Sequence, residues 1–221
     1  MYGDYSFNGE NSVSLRRSST IEVLGEGRVS AAPDQAIIVL GVETEGTVLS
    51  EVQAENGEMM ASIITSLLNL NIPREKIQTS EFRIDIQYDY PEGEQIFRGY
   101  KAIHLLQITL DEVDQTGEVV DTALANGANV VSNIQFALSQ PGIYKNEALS
   151  LALEDARQKA ATIANTLGVT IAAVPDHVQE LTASPPPSLF KSAIVMSSAD
   201  TPIQPGQLSI SSAVRVRYSL L

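Results

Sequence analysis

The chain has no cysteine, no tryptophan, only two histidines, and 14 Lys and Arg against 27 Asp and Glu, a formal charge of −13 over 221 residues. The missing cysteines exclude disulfides, thiol nucleophiles, zinc–cysteine sites and iron–sulfur clusters. Two histidines without cysteine exclude a histidine-rich metal centre. A surface so short of cations repels phosphate backbones and anionic membranes, which argues against nucleic-acid or lipid-surface binding. No apolar run approaches the roughly 18 residues that a spanning helix needs, so no membrane insertion is predicted. Residues 1–20 lack a basic start followed by an apolar stretch, the pattern of a secretory signal, and read as a flexible polar arm. On that ground a cytoplasmic protein is expected.

The strongest feature present is a packing signal. Ala148, Ala152, Ala156, Ala160 and Ala164 recur every fourth residue, and Gly168 takes the next step. Residues four apart stack along one line of a helix, and side chains this small let its backbone lie close to a neighbour. Leu149, Leu153, Ile163 and Leu167 flank the line at helical spacing, and Gly168 stands where a C-terminal glycine belongs. The ladder predicts a packing helix over 143–167 and carries no chemistry.

Elsewhere, alternation predicts strands over 21–27, 77–90 and 208–221, an apolar β-branched run predicts a central strand over 36–42, and strands are also read over 97–110, 130–138 and 169–181. Helical spacing predicts helices over 47–70, with Val52, Met59, Ile63 and Leu67 on the buried face, and over 111–126. In the strand over 77–90, Phe82, Ile84, Ile86 and Tyr88 share one face while Arg83, Asp85, Gln87 and Asp89 share the other. In the last strand Ser212 interrupts a face formed by Ile210, Val214, Val216 and Tyr218. The order strand–helix–strand–strand over 36–110 recurs over 130–221, which suggests duplicated halves. Together these elements predict an α+β fold: mostly antiparallel sheet with two long helices and one short helix packed on it. It forms a single domain over 21–221, with an irregular proline-rich loop at 183–207 that is either a passive crossover or a partner-binding segment.

No constellation points to catalysis. Gly25-Glu26-Gly27 lacks the third glycine of a nucleotide loop, since position 30 is Ser30, and Pro33-Asp34 follows where a helix should; a tight strand exit is predicted. His104 shares a face with Leu106, Ile108 and Leu110 and reads as a core or edge histidine; His177, after Pro175-Asp176, reads as a surface residue. No G-x-S-x-G elbow occurs. Asp111-Glu112-Val113-Asp114 is read as the acidic start of the short helix, and Glu43 and Glu45 as a solvated strand face. No catalytic, cofactor-binding or metal residue is assigned and no cofactor is implied; a carboxylate hydrolase is the least supported class. Tyr88, Tyr90, Phe97 and Tyr100 gather at the turn of the hairpin 77–110 and serve either hairpin-end packing or self-association.

An ordered series of short motifs carries a family resemblance. Ile21-Glu22-Val23-Leu24-Gly25-Glu26-Gly27 is followed by Pro33-Asp34, Ile77-Gln78-Thr79, Gly99-Tyr100, Gly127-Ala128-Asn129, Glu147-Ala148 and Pro205-Gly206. In this order they resemble the SIMPL-domain family, which includes the YggE-like bacterial stress proteins and periplasmic immunogenic proteins. The resemblance implies an α+β fold, large homo-oligomers, a link to envelope or oxidative stress, and no agreed catalytic residues. The resulting expectation is a non-enzymatic, self-assembling domain with a stress-related or scaffolding role. The alternative is a small-molecule or peptide-binding module that holds its ligand between sheet and helices.

Overall fold

Strand alternation and the alanine ladder organise the computed structural model, which describes residues 19–181, 188–190 and 203–221. Of the predicted arm only residues 19 and 20 are described, and of the loop 183–207 the parts 183–187 and 191–202 lie outside the described residues. The fold is α+β. Its elements in chain order are β1 (Thr20–Ala31), β2 (Gln35–Gly46), α1 (Leu49–Asn69), β3 (Ile77–Asp89), β4 (Ile96–Leu110), α2 (Thr116–Ala125), β5 (Val130–Ala137), α3 (Pro141–Leu167), β6 (His177–Leu181), β7 (Ser188–Phe190) and β8 (Gln207–Ser219). The described residues divide into two units.

The larger unit contains Val29–Asn146 and, of the described residues further on, 188–190 and 203–210. Its main sheet has the order β3-β4-β2-β5, and all of its pairings are antiparallel. On one face of β2, Ala36, Ile38, Leu40 and Val42 alternate into the core opposite Leu110, Ile108, Leu106 and His104 of β4. Met60, Ile63 and Leu67 of α1 and Val119, Val120 and Ala123 of α2 close that core. The α1 stripe also carries Asn56, which the apolar pattern passes over. Its buried amide donates towards the carbonyls of Val42 and Ala102, 3.4 Å each, and towards Thr44 Oγ1 at 3.3 Å, while the Thr44 hydroxyl donates to Val52 O at 3.0 Å. These bonds tie helix to sheet where apolar packing thins out. Asp34, at the end of the β1–β2 link, accepts from the Ser139 amide at 2.6 Å and hydroxyl at 2.7 Å, so Pro33-Asp34 anchors the segment after β5.

The smaller unit contains residues 19–28 and 147–181 and Ser211–Leu221. β6 and most of β1 and β8, from a sheet of order β1-β8-β6, lie within these bounds; β7 and the start of β8, which pair with each other, belong to the larger unit. Ile21, Val23, Gly25 and Gly27 point to one face of β1, and the five ladder alanines of α3 are buried against that sheet. A Cβ on Gly25 would run into the Ala152 carbonyl and come within 2.7 Å of Ala156 Cβ; one on Gly27 would run into the Ala148 carbonyl and come within 2.9 Å of Leu151 Cβ. The glycines are therefore the seat of the helix, in mid-strand, and the strand-exit reading of Gly25-Glu26-Gly27 is corrected. Ser212 is buried on the same face of β8 as its apolar neighbours, so the face continues through a small residue. Leu149 joins this core, whereas Leu153, Ile163 and Leu167 stay substantially exposed. Gly168, at φ 69°, ends the helix, and the Val169 amide reaches back to Ala164 O at 3.0 Å.

Several predicted boundaries move for local reasons. β1 runs on to Ala31, past the strand end predicted at Gly27. The helix read from Asp111 begins at Thr116, after a short 3-10 turn over Val113–Gln115. Asp111 instead holds Lys76 Nζ and Gln35 Nε2, each at 3.1 Å, rather than starting a helix. The strand read over 169–181 shrinks to His177–Leu181, preceded by a single bridge between Ile171 and Leu220, because Pro175 offers no amide to a ladder. The repeated order of elements is present, but the pairing is not repeated: β5 joins β2, and β1 takes beside β8 the place that β2 takes beside β4.

The helix seat gives a contrast to be read by thermal or denaturant unfolding. Gly25→Ala and Ala156→Leu are each expected to lower stability by about 1–3 kcal/mol or more, because the added carbons meet backbone. Gly57→Ala, in α1 with nothing within 4 Å of the new Cβ, is expected to raise it by about 0.5–1 kcal/mol.

Candidate functional site

Cross-strand pairing fixes which side chains of the β3–β4 hairpin share a face. Phe82 lies opposite His104, Ile84 opposite Ala102, Ile86 opposite Tyr100, and Tyr88 opposite Phe97. β2 continues the same face, with Val42 opposite His104 and Thr44 opposite Ala102. Over β2 and β4 this face is covered by α1. Over the hairpin it emerges with its apolar side chains still in place: Phe82 is 51% exposed, Ile86 50%, Phe97 46% and Tyr88 41%.

The outer end of this stripe is aromatic. Phe97 lies edge-on to Tyr88, centroids 6.4 Å apart, and to Tyr100 at 5.3 Å. Tyr90, the most exposed of the four at 64%, stands apart at the start of the turn. Glu92 and Gly93 reverse the chain with φ of 54° and 89°. Beside Tyr100, a Cβ on Gly99 would lie 2.6 Å from the Gly46 carbonyl oxygen, so only glycine lets β4 approach the end of β2 this closely. At the inner end, Phe82 meets the His104 ring edge-on at 5.1 Å, and Thr79 Oγ1 lies 3.4 Å from His104 Nε2. Burial in these surroundings pushes the His104 pKa below its ordinary 6.5.

The opposite face is charged and internally balanced. Arg83 bridges Glu81 at 2.7 Å and Asp85 at 3.0 Å, Arg98 meets Glu45 at 3.2 Å, and Lys101 meets Glu43 at 2.5 Å and Glu45 at 3.8 Å. Such exposed pairs contribute about 0–1 kcal/mol each; their effect is to leave no strong field on this face. Glu43 and Glu45 are held by cations and do not face each other as an acid and base.

A second depression lies in the smaller unit, an open groove of about 440 Å³ lined by Val23, Leu24, Asp155, Gln158, Lys159, Thr162 and Ile163. Its charges serve one another: Lys159 Nζ lies 2.7 Å from Asp155 Oδ2 and donates to Leu24 O at 3.0 Å, and Asp155 accepts the Glu26 amide at 2.8 Å. The Lys159 bond, foremost, holds the Asp155 carboxyl below its ordinary range. Among the described residues no group of three or more His, Asp or Glu could hold a metal ion, and no helix is long and apolar enough to cross a membrane.

The structure therefore joins Tyr88, Phe97 and Tyr100 in one aromatic contact and leaves Tyr90 outside it. It adds Phe82, Ile86 and His104; that Phe82 and Ile86 share a face was legible from alternation, whereas His104 joins them only through the β3–β4 register. The missing information was what covers that face. Only 21-residue α1 and 10-residue α2 are available to a four-stranded sheet, and alternation reports a face without reporting its cover. Ala148, Ala152, Ala156, Ala160, Ala164 and Gly168 lie in the helix seat, away from this hairpin in the chain.

Comparison with known proteins places these features in a family. Residues 21–218 match the model of the SIMPL family, described as a protein of unknown function (DUF541). The chain is 28% identical over 201 residues to the uncharacterized protein YggE of Escherichia coli K12, covering 89% of this chain and 81% of the relative. It is 26% identical over 226 residues to the 26 kDa periplasmic immunogenic protein of Brucella melitensis biotype 1, covering 97% and 90%. A YggE protein of Edwardsiella ictaluri is 23% identical over 173 residues, covering 76% and 72%. The Brucella name overturns the expectation of a cytoplasmic protein and points to export. That expectation rested on the composition of residues 1–20, and the opening residues of a sequence do not outweigh a full-length relative named for the periplasm.

His104 gives this site a pH signature. The unfolded chain binds a proton near pH 6.5, while the folded chain resists until lower pH, so stability is expected to be lost as pH falls from about 6.5 through the folded pKa. The carboxylates of Glu22, Asp34, Asp111 and Asp155 are held low by their partners and lose their contribution only below about pH 4. Urea midpoints between pH 7 and 5 for the parent and His104→Phe separate the two: the variant's midpoint is expected to fall less across that interval.

Proposed function

The chain belongs to the SIMPL family, and on that premise we propose that it is a non-enzymatic, self-assembling domain with a scaffolding or stress-related role, its copies meeting through the β3–β4 hairpin. One observation carries the reading. Phe82, Ile86, Tyr88 and Phe97 form a continuous half-exposed apolar stripe, and contiguous apolar surface of this kind marks an interaction site. Aromatic side chains are enriched at such interfaces, and the balanced charges on the reverse face of the sheet lower the repulsion between copies that each carry −13. An exported, periplasmic setting is supported by the name of the Brucella relative.

The other reading, small-molecule or peptide binding, has the groove beside α3 for its site. It has less support, since Lys159 and Asp155 there already satisfy each other and the backbone of β1.

Size-exclusion chromatography with light scattering tests the proposal. The full chain is expected to run as a discrete multiple of its 23.8 kDa subunit that survives dilution. Ile86→Lys with Phe97→Ser, both at exposed positions, is expected to remove at least about 2 kcal/mol of association free energy and shift the mass towards one subunit with the circular dichroism unchanged. A parent chain that is monomeric at every concentration overturns the reading.

A further inference from the structure

We infer that two copies of this chain join edge to edge through β3, antiparallel, with the two-fold axis at Ile84. The inference rests on the self-association reading above and names its partner and register.

β3 is the edge strand of its sheet, 13 residues long, and among the described residues no strand pairs with its outer side. Edge strands are usually blunted by proline, lysine, bulges or a cover. The edge strand β1 of the other sheet has such a cover: Asp155 takes the Glu26 amide and Lys159 takes the Leu24 carbonyl. β3 carries no such pair of side chains on its outer edge among the described residues, and neither proline nor lysine stands within it. Of the two shifts in its ladder with β4, the one between Thr79 and Glu81 is an extra residue of β3 itself, Ser80, whereas at the one between Gln87 and Tyr88 the extra residue is Arg98 of β4. β3 is therefore regular from Glu81 to Asp89, and Ile84 lies within that stretch.

That stretch is self-complementary. About Ile84, antiparallel pairing sets Phe82 against the partner's Ile86 and Ile84 against the partner's Ile84 on the apolar face. On the charged face it sets Arg83 against the partner's Asp85 and Glu81 against the partner's Gln87. No like charges meet, and the Arg83–Asp85 match occurs twice. Neighbouring registers do worse. A slip of one residue between the strands opposes the apolar face of one to the charged face of the other. Centring on Arg83 sets Arg83 against itself and Glu81 against Asp85, and centring on Asp85 sets Asp85 against itself. Centring on Phe82 carries the pairing across the extra residue Ser80, and centring on Ile86 sets Asp85 against Gln87 beside the axis and moves the only charge match, Arg83 with Asp89, to the end of the strand. In the chosen register the stripe Phe82–Ile84–Ile86 runs unbroken across the seam of two joined sheets.

The absence of cysteine makes the register measurable in the full-length chain. Ile84→Cys sets two thiols about 5 Å apart by Cβ, whereas Phe82→Cys or Ile86→Cys sets like positions four residues apart along the strands, about 13 Å. Expected under oxidation is a covalent dimer of Ile84→Cys at several-fold higher yield than either neighbour, and of the double variant Phe82→Cys/Ile86→Cys. A second arm uses charge, at exposed positions that leave the fold intact. Arg83→Asp is expected to weaken dimerisation about tenfold or more, and Arg83→Asp/Asp85→Arg to restore it, since each strand then offers the swapped partner. If the native mass is a multiple and Ile86→Lys with Phe97→Ser lowers it, yet Ile84→Cys gives no excess dimer and the charge swap restores nothing, this register is overturned while self-association through the hairpin stands. A chain that is monomeric throughout overturns both.

Discussion

The close approach of the α3 backbone to β1 is the constraint from which the smaller unit follows. A helix that lays alanines on glycines gives up side-chain area in exchange for proximity, and dispersion grows steeply as the gap narrows. The proximity also brings polar groups within reach: Asp155 and Lys159, on the margin of the helix seat, bond to the Glu26 amide and the Leu24 carbonyl of the edge strand. Larger residues at Gly25 or Gly27 would lift the helix and release both contacts. One line of small residues thus places the helix and closes an exposed strand edge.

The alanine spacing was legible because a period of four with one residue type has few other readings. Its counterpart was not: Gly25 and Gly27 stand two apart on a strand, the period at which glycines mark a turn or a nucleotide loop equally well, and only the facing helix explains them. Ser212 illustrates the same limit, since a small polar residue reads as a break in an apolar face until its burial is seen. Asn56 is the converse case. It sits at core spacing on α1, and a pattern of apolar residues steps over it, although its amide joins the helix to two strands. Boundaries moved where one chemical group decided the matter, as at Pro175, which withholds a ladder amide, and at Asp111, whose carboxylate is engaged by Lys76 and Gln35.

The hairpin shows that alternation and burial are separate facts. Phe82, Ile84, Ile86 and Tyr88 alternate with polar residues while Ala36, Ile38, Leu40 and Val42 belong to an unbroken apolar run, and the second set is sealed by α1 and α2 while much of the first meets solvent. Both sets lie on one face of one sheet, and the difference is that the helices end short of it. Tyr88, Phe97 and Tyr100 were conspicuous in the sequence as aromatics near a turn; the aliphatic part of the stripe was concealed by reading like any other strand.

Net charge bears on how such a surface is used. Copies carrying −13 repel at long range, and that repulsion fades beyond about 8 Å at physiological ionic strength. The proposed association must therefore be carried by short-range contacts, on a part of the surface where charge is largely offset. The reverse face of the hairpin comes close to that condition: Arg83, Arg98 and Lys101, three of the chain's 14 cations, are bonded among four carboxylates, Glu43, Glu45, Glu81 and Asp85. Cations so scarce could be spread to offset the acidic surface as a whole. Their concentration behind an exposed apolar stripe makes the hairpin a place where the proposed second, equally acidic copy would meet little opposing field, and the alternation of Glu81, Arg83 and Asp85 along an edge left unpaired among the described residues would then set the alignment of the two strands.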